Sequence, residues 1–233
     1  MRENMDLFKK LAAWLSPEPK IVQLTNTVVA RKGKSGLKYP SEFNIHIPDL
    51  RDTDWMFKIP SKTYLAYKAK TRKLDYRGEH FWRYVTPKEV SLYNMTTYLV
   101  QESIGSQWRK QQKDVADLVV DFVHRIPYQN RDQYVKYPVE TLCELGGNCV
   151  DLSVLGATML EITDIESCFV VTSDHAFLGV NLPRKGHYVE KDGKKYYTVE
   201  MTGTYFPSEP NNDGIGEKSD FIPDEISIFT KKK

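Results

Sequence analysis

Cys149, His175 and Glu200 have the residue types and the chain order that a thiol nucleophile needs. Cys149 stands in Gly146-Gly147-Asn148-Cys149-Val150-Asp151-Leu152-Ser153, and His175 in Ser173-Asp174-His175-Ala176-Phe177. Glu200 closes the series in Tyr196-Tyr197-Thr198-Val199-Glu200-Met201-Thr202. A thiol attacks as its thiolate, so it needs a base, and the base needs a group that orients it. Together the three supply a nucleophile, a general base and an orienting acid.

The sequence around Cys149 explains how the thiol could ionise. Asn148 is a strong N-cap residue, which puts Cys149 at the first helical position. Asp151 falls at the third, where its carboxylate can return to the cap backbone. Unpaired N–H groups and the macrodipole at a helix N-terminus favour negative charge. The preceding glycine pair lets the chain bend and leaves room for a substrate.

Each residue also has a plainer reading. Cys143 and Cys168 read as small buried apolar side chains. Cys149 alone could be the same, and a histidine at a strand start is often structural. A glutamate inside an aromatic strand is harder to dismiss, because an unpaired buried carboxylate is costly. Zinc held by Cys143, Cys149, Cys168 and His175 is a further alternative, but the close paired spacing of structural zinc sites is missing.

The elements that must position these side chains can be read from the same sequence. Residues 149–162 predict a helix buried nearly all round, since Val150, Leu152, Leu155, Ala157, Met159, Leu160 and Ile162 leave little polar face. Residues 167–172 and 175–182 read as strands. Lys191-Asp192-Gly193-Lys194 joins 187–190 to 195–201 in a hairpin. If the strands carrying His175 and Glu200 are neighbours, the two side chains can lie side by side. Upstream, Thr86-Pro87-Lys88-Glu89 predicts a helix start with a capping box, running to about Val100. A longer helix is expected over 106–126, ended by Pro127, and a helical turn over 140–145.

Residues 5–15 predict a short amphipathic helix, and 21–86 is strand-like, basic and aromatic. The expected organisation is a basic, β-rich N-terminal region over 1–86 and a catalytic domain over 87–233. The expected fold class is α+β, with helices packed on an antiparallel sheet.

The net charge of +2 hides an asymmetry. Residues 1–86 carry 17 Lys and Arg against 9 Asp and Glu, and the remainder 16 against 22. The basic runs at 31–34 and 68–73 read first as a solvated face or as contact with the acidic half, ahead of a nucleic-acid surface. No stretch approaches the roughly 18 apolar residues of a membrane span. The start, Met1-Arg2-Glu3-Asn4-Met5-Asp6, lacks the apolar run of a signal peptide, so a cytoplasmic location is expected, or a soluble fragment of a longer anchored protein. Three cysteines, an odd number, fit a reduced compartment better than a disulfide framework.

Tyr137-Pro138-Val139-Glu140-Thr141-Leu142, the Gly-Gly-Asn-Cys-Val-Asp-Leu-Ser stretch, Asp174-His175-Ala176-Phe177-Leu178-Gly179-Val180 and the segment around Glu200 together resemble the transglutaminase-like superfamily. Within it they look most like the prokaryotic cysteine-protease-like members. The resemblance covers roughly residues 87–220. It implies a papain-like α+β core with Cys149 as nucleophile, His175 as general base and then acid, and Glu200 as orienting acid. It also implies acyl transfer through a thioester, resolved by water or by an amine.

The chain departs from the family pattern at three positions. Glu200 stands where the third member is usually aspartate, Asn148 where relatives often have aspartate, and Met201 where proline is common. Some relatives bind calcium through acidic residues near the nucleophile. Here Asp151 remains but Asn148 is neutral, so no cofactor or metal is expected. For the oxyanion, the Cys149 backbone N–H is the expected donor, with Gln129, Gln133 or Trp108 as candidate side chains. The expected activity is that of a cysteine peptidase acting on a protein or peptide substrate. The alternatives are a protein-cross-linking transglutaminase and a non-catalytic domain that binds peptide or cell-wall material.

Overall fold

The computed structural model describes residues 25–30, 40–48, 54–72, 78–130, 134–202, 215 and 226–231. The helix expected at 5–15 lies outside them, as does Gln133.

Three strands open the described chain: β1 (Thr25–Ala30), β2 (Pro40–Pro48) and β3 (Asp54–Pro60), in an antiparallel sheet of that order. Ile45 and Ile47 on β2 and Ile59 on β3 enter the main core, so the period-two pattern seats one face of this sheet. Pro60 then caps a helix the sequence reading missed, α1 (Ser61–Lys68), and a 3-10 turn follows at Gly78–Arg83. Pro60 ends the strand and supplies extended backbone at a helix start.

The next helices begin later than their sequence signals suggest. Helix α2 runs Val90–Ile104, with Glu89, not Thr86, as N-cap; its carboxylate accepts from the Leu92 amide at 2.7 Å. Thr86 is drawn elsewhere, its N–H donating to Thr158 Oγ1 at 3.3 Å. The single helix expected over 106–126 is broken. Gly105 takes φ 102°, a 3-10 turn covers Trp108–Lys110, and α3 begins only at Gln112 and ends at His124. Trp108 anchors that turn in the core, 4 % exposed.

Helices α4 (Pro138–Glu144) and α5 (Cys149–Ile162) follow, then strands β4 (Ser167–Val171), β5 (Ala176–Val180), β6 (Tyr188–Lys191), β7 (Lys194–Val199) and β8 (Ser227–Thr230). These five strands form an antiparallel sheet in the order β6-β7-β5-β4-β8. The β6–β7 turn places Asp192 at φ 53° and Gly193 at φ 73°, as a two-residue hairpin requires. The sheet curls until β6 and β8 approach each other. Helix α5 lies against β4 and β5, and of its 14 residues only Cys149 and Glu161 escape full burial. The fold is therefore α+β, helices on a curled antiparallel sheet, with a β-rich segment in front. Among the described residues no helix is long and apolar enough to cross a membrane.

Candidate active site

Helix α5 begins as its sequence suggests. Asn148 Oδ1 accepts from the Asp151 N–H at 3.0 Å, and Asp151 Oδ2 accepts from the Asn148 N–H at 3.1 Å. This reciprocal box leaves Cys149 as the first helical residue, its side chain partly exposed. Helix geometry supplies no acceptor for the N–H groups of that first turn. Asp151 Oδ1 also accepts from the Lys136 N–H at 2.7 Å. Burial pushes the Asp151 carboxyl up to about 6 in spite of these donors. The approach to the helix is tight: a Cβ on Gly147 would sit 2.6 Å from Asp151 Cβ. Glycine is needed there for space.

His175 precedes β5 instead of opening it. Thr172 holds it from two sides. The Thr172 N–H donates to the His175 carbonyl at 2.9 Å, and Thr172 Oγ1 accepts from the His175 N–H at 3.0 Å. The ring lies near-parallel to Phe177 at 6.2 Å.

Strands β5 and β7 are neighbours, with Leu178 opposite Val199 and Gly179 opposite Thr198. That register brings Glu200, just past the end of β7, beside His175. Glu200 Oε2 lies 2.6 Å from His175 Nε2. Glu200 Oε1 accepts from the Met201 N–H, the Thr202 N–H and Thr202 Oγ1 at 2.8, 2.9 and 2.9 Å. The Glu200 carbonyl is paired with His124 Nε2, at the last residue of α3, at 2.7 Å. Both the Glu200 side chain (4 % exposed) and the His175 side chain (12 %) are withdrawn from water.

Cys149 lies within interaction range of the His175 ring, and both line the same cleft. Burial opposes the imidazolium, but the interactions with Cys149 and Glu200 outweigh it and lift His175 to about 10. For Glu200 burial again opposes the charged form, and His175 with the Thr202 donors holds its carboxyl below the ordinary glutamate value. Cys149 and Glu200 thus both act on the His175 ring.

Cys149 and His175 line a half-open cleft of about 370 Å³, and Glu200 is not part of its lining. Phe81, Val150, Val171 and Ala176 give it an apolar lining, and Tyr128, Asn130, Asn148 and Thr172 a polar one. Of the side chains expected to assist an oxyanion, Trp108 is buried in the helical core and does not line this cleft. Gln129 turns to the loop before Asn148, its Nε2 3.4 Å from the Leu145 carbonyl, and it too is absent from the lining. Gln129 Nε2, the donor an oxyanion would need, is thus already engaged. Cys143 and Cys168 are buried apart from the cleft. Among the described residues no group of three or more His, Cys, Asp or Glu side chains is placed to hold a metal ion.

His124, Lys136 and Thr202 went unremarked in the sequence because their partners are remote or lie on the backbone. Thr172 had a local signal, a threonine three residues before a histidine across Ser-Asp, which favours a side-chain turn.

No protein-family model matches the chain. No curated protein matches it either. Among solved structures, it is similar to a candidate cysteine protease from Cytophaga hutchinsonii at 12 % identity and a TM-score of 0.36, over 78 % of this chain and 62 % of that one. It is also similar to a candidate protease from Parabacteroides distasonis at 13 % identity and a TM-score of 0.36, over 80 % of this chain and 42 % of that one. The chain spans less than two thirds of either structure. Any assignment of chemistry rests on the side chains themselves.

Proposed function

We propose that this protein is a cysteine hydrolase that cleaves peptide or amide bonds through an acyl-enzyme thioester. The observation that carries the reading is one part-buried imidazole that meets Glu200 Oε2 at 2.6 Å and lies within interaction range of Cys149 on the same cleft.

In this reading Glu200 Oε2 accepts from His175 Nε2–H, which leaves Nδ1 to take the thiol proton. The Cys149 thiolate attacks the substrate carbonyl carbon, and the carbonyl π electrons move onto oxygen. The first-turn N–H groups of α5, that of Cys149 foremost, stabilise this oxyanion. As the tetrahedral adduct collapses, the C–N bond breaks, and the His175 imidazolium protonates the departing amine. Water then attacks the thioester while His175 accepts one of its protons. Collapse releases the carboxylic acid and returns the proton to the sulfur. An amine in place of water would yield a cross-link by the same route. Water is the acceptor proposed here, because it needs no binding site of its own, whereas an amine acceptor would.

A fluorogenic peptide panel with the wild type and Cys149→Ala tests the reading. Turnover by the wild type alone is expected. Equal turnover by both would remove Cys149 from the chemistry.

A further inference from the structure

The strongest unused group in the molecule is a buried ammonium. Lys136, its side chain 5 % exposed, precedes α4 and takes no part in the proposed reaction. Its Nζ donates to the Gly146 carbonyl at 2.7 Å and lies 3.0 Å from Glu144 Oε2. Its N–H donates to Asp151 Oδ1 at 2.7 Å. One residue therefore grips the nucleophile segment on both sides of Cys149, at the carbonyl of Gly146 and at the carboxylate of the capping box.

The grip continues into the N-terminal segment. Glu144 is held from the other side by Lys68 Nζ at 2.6 Å and by Tyr64 Oη at 2.8 Å, both on α1. Burial raises the Glu144 carboxyl, but these donors and Lys136 prevail and hold it at about 2. A buried ion pair is a weak way to stabilise a fold, because the desolvation of both charges offsets their attraction. What the Lys136 ammonium supplies that an apolar side chain could not is a fixed direction for the Gly146 carbonyl.

Resting on the proposed Cys149 chemistry, we infer that Lys136 is a positioning residue for the nucleophile, and that α1 takes part through Lys68, Tyr64 and Glu144. Releasing the Gly146 carbonyl lets the turn before Cys149, and with it the first turn of α5, shift relative to His175, although the backbone N–H at position 136 still reaches Asp151. Reactivity of the sulfur below neutral pH depends on that turn and on the imidazolium beside it. Reactivity in alkali depends only on access.

The test is the rate of Cys149 alkylation by iodoacetamide, followed by peptide mass spectrometry on the full chain at pH 6 and pH 9.5. Lys136→Met is expected to lower the pH 6 rate about tenfold and to leave the pH 9.5 rate within about twofold. With a cleaved peptide, kcat should fall while KM holds. Lys68→Met, at a half-exposed position on α1, is the second variant should Lys136→Met not fold, with about a threefold loss at pH 6 expected. Equal losses at both pH values would make the residue structural and overturn the inference. Unchanged rates in both variants would overturn it as well. A wild type no faster at pH 6 than free cysteine would instead overturn the Cys149–His175 reading on which it rests.

Discussion

Glu200 divides its carboxylate between two tasks: Oε2 meets His175 Nε2 at 2.6 Å, while Oε1 accepts three hydrogen bonds from Met201 and Thr202. The oxygen facing the ring cannot rotate away without breaking the other three contacts. The extra methylene of glutamate over aspartate lets the carboxylate fold back onto its own following backbone and still reach the imidazole.

Glu200→Gln should therefore be damaging out of proportion to its size. The amide oxygen will stay with the three donors, and the NH₂ group will point at His175 Nε2. The ring must then carry its proton on Nδ1, facing the sulfur, where no base remains. We expect kcat/KM to fall by about 10³- to 10⁴-fold with little change in far-UV circular dichroism. A loss of less than tenfold would mean that tautomer control is not what Glu200 supplies.

Thr172→Val keeps the shape of the side chain but removes the Oγ1 that accepts from the His175 N–H. The turn that aims the ring keeps the Thr172 N–H to the His175 carbonyl but loses every contact of Oγ1 with His175 and Asp174. Loss of the part-buried hydrogen bonds of Oγ1 costs about 1 kcal/mol of stability. Chemical denaturation should register that cost, and kcat should fall about tenfold as the ring loses its alignment. Full activity in this variant would show that β5 and Glu200 suffice to hold His175.

The pH dependence of stability carries a sign. His175 is raised to about 10 in the folded protein, above its unfolded value of about 6.5. Its contribution is fully present below pH 6.5 and disappears as pH rises through 10. Glu200 is lowered, so its contribution is present above the ordinary glutamate value and fades as pH falls through the folded one. Between pH 7 and 10 the wild-type Tm should drop more steeply than that of His175→Gln, which lacks the titrating ring. Parallel curves for the two proteins would contradict the raised His175.

Two glycines separate two physical costs. Alanine at Gly147 meets Asp151 Cβ at 2.6 Å, a clash with an atom that cannot swing aside. Alanine at Gly193 meets nothing within 4 Å but must adopt φ 73°. Gly193→Ala should cost about 1 kcal/mol and leave activity untouched. Gly147→Ala should cost about 1–3 kcal/mol and slow Cys149 alkylation as well, because it displaces the capping box. Thermal melts with alkylation rates for both variants check the contrast.

These relationships mark where sequence reasoning carries and where it stops. The Asn148–Asp151 box and the buried helix behind it were legible because cap chemistry spans three residues and burial is written in the helix's own composition. The Asp192-Gly193 hairpin was legible because few residues tolerate two positive φ angles in succession. The meeting of His175 and Glu200 was only conditional, since it depends on β5 lying beside β7, which neither strand encodes alone. Thr86 offered a sound helix start and lost to Glu89 through a hydrogen bond to Thr158, 72 residues away. The Lys68 end of the basic run was read as a solvated face or a contact with the acidic half. It is the latter, set against Glu144. Lys136 and His124 gave no sign, because what they hold are carbonyls brought close by the fold.

The central claim is that Cys149 becomes acylated during turnover. The most direct measurement is an acid quench in mid-reaction with a cleaved peptide, followed by mass spectrometry of the fragment that contains Cys149. The account predicts an added mass equal to the acyl half of the substrate, removed by hydroxylamine and absent from Cys149→Ala. Steady turnover with Cys149 unmodified, or an adduct that Cys149→Ala still carries, would contradict it.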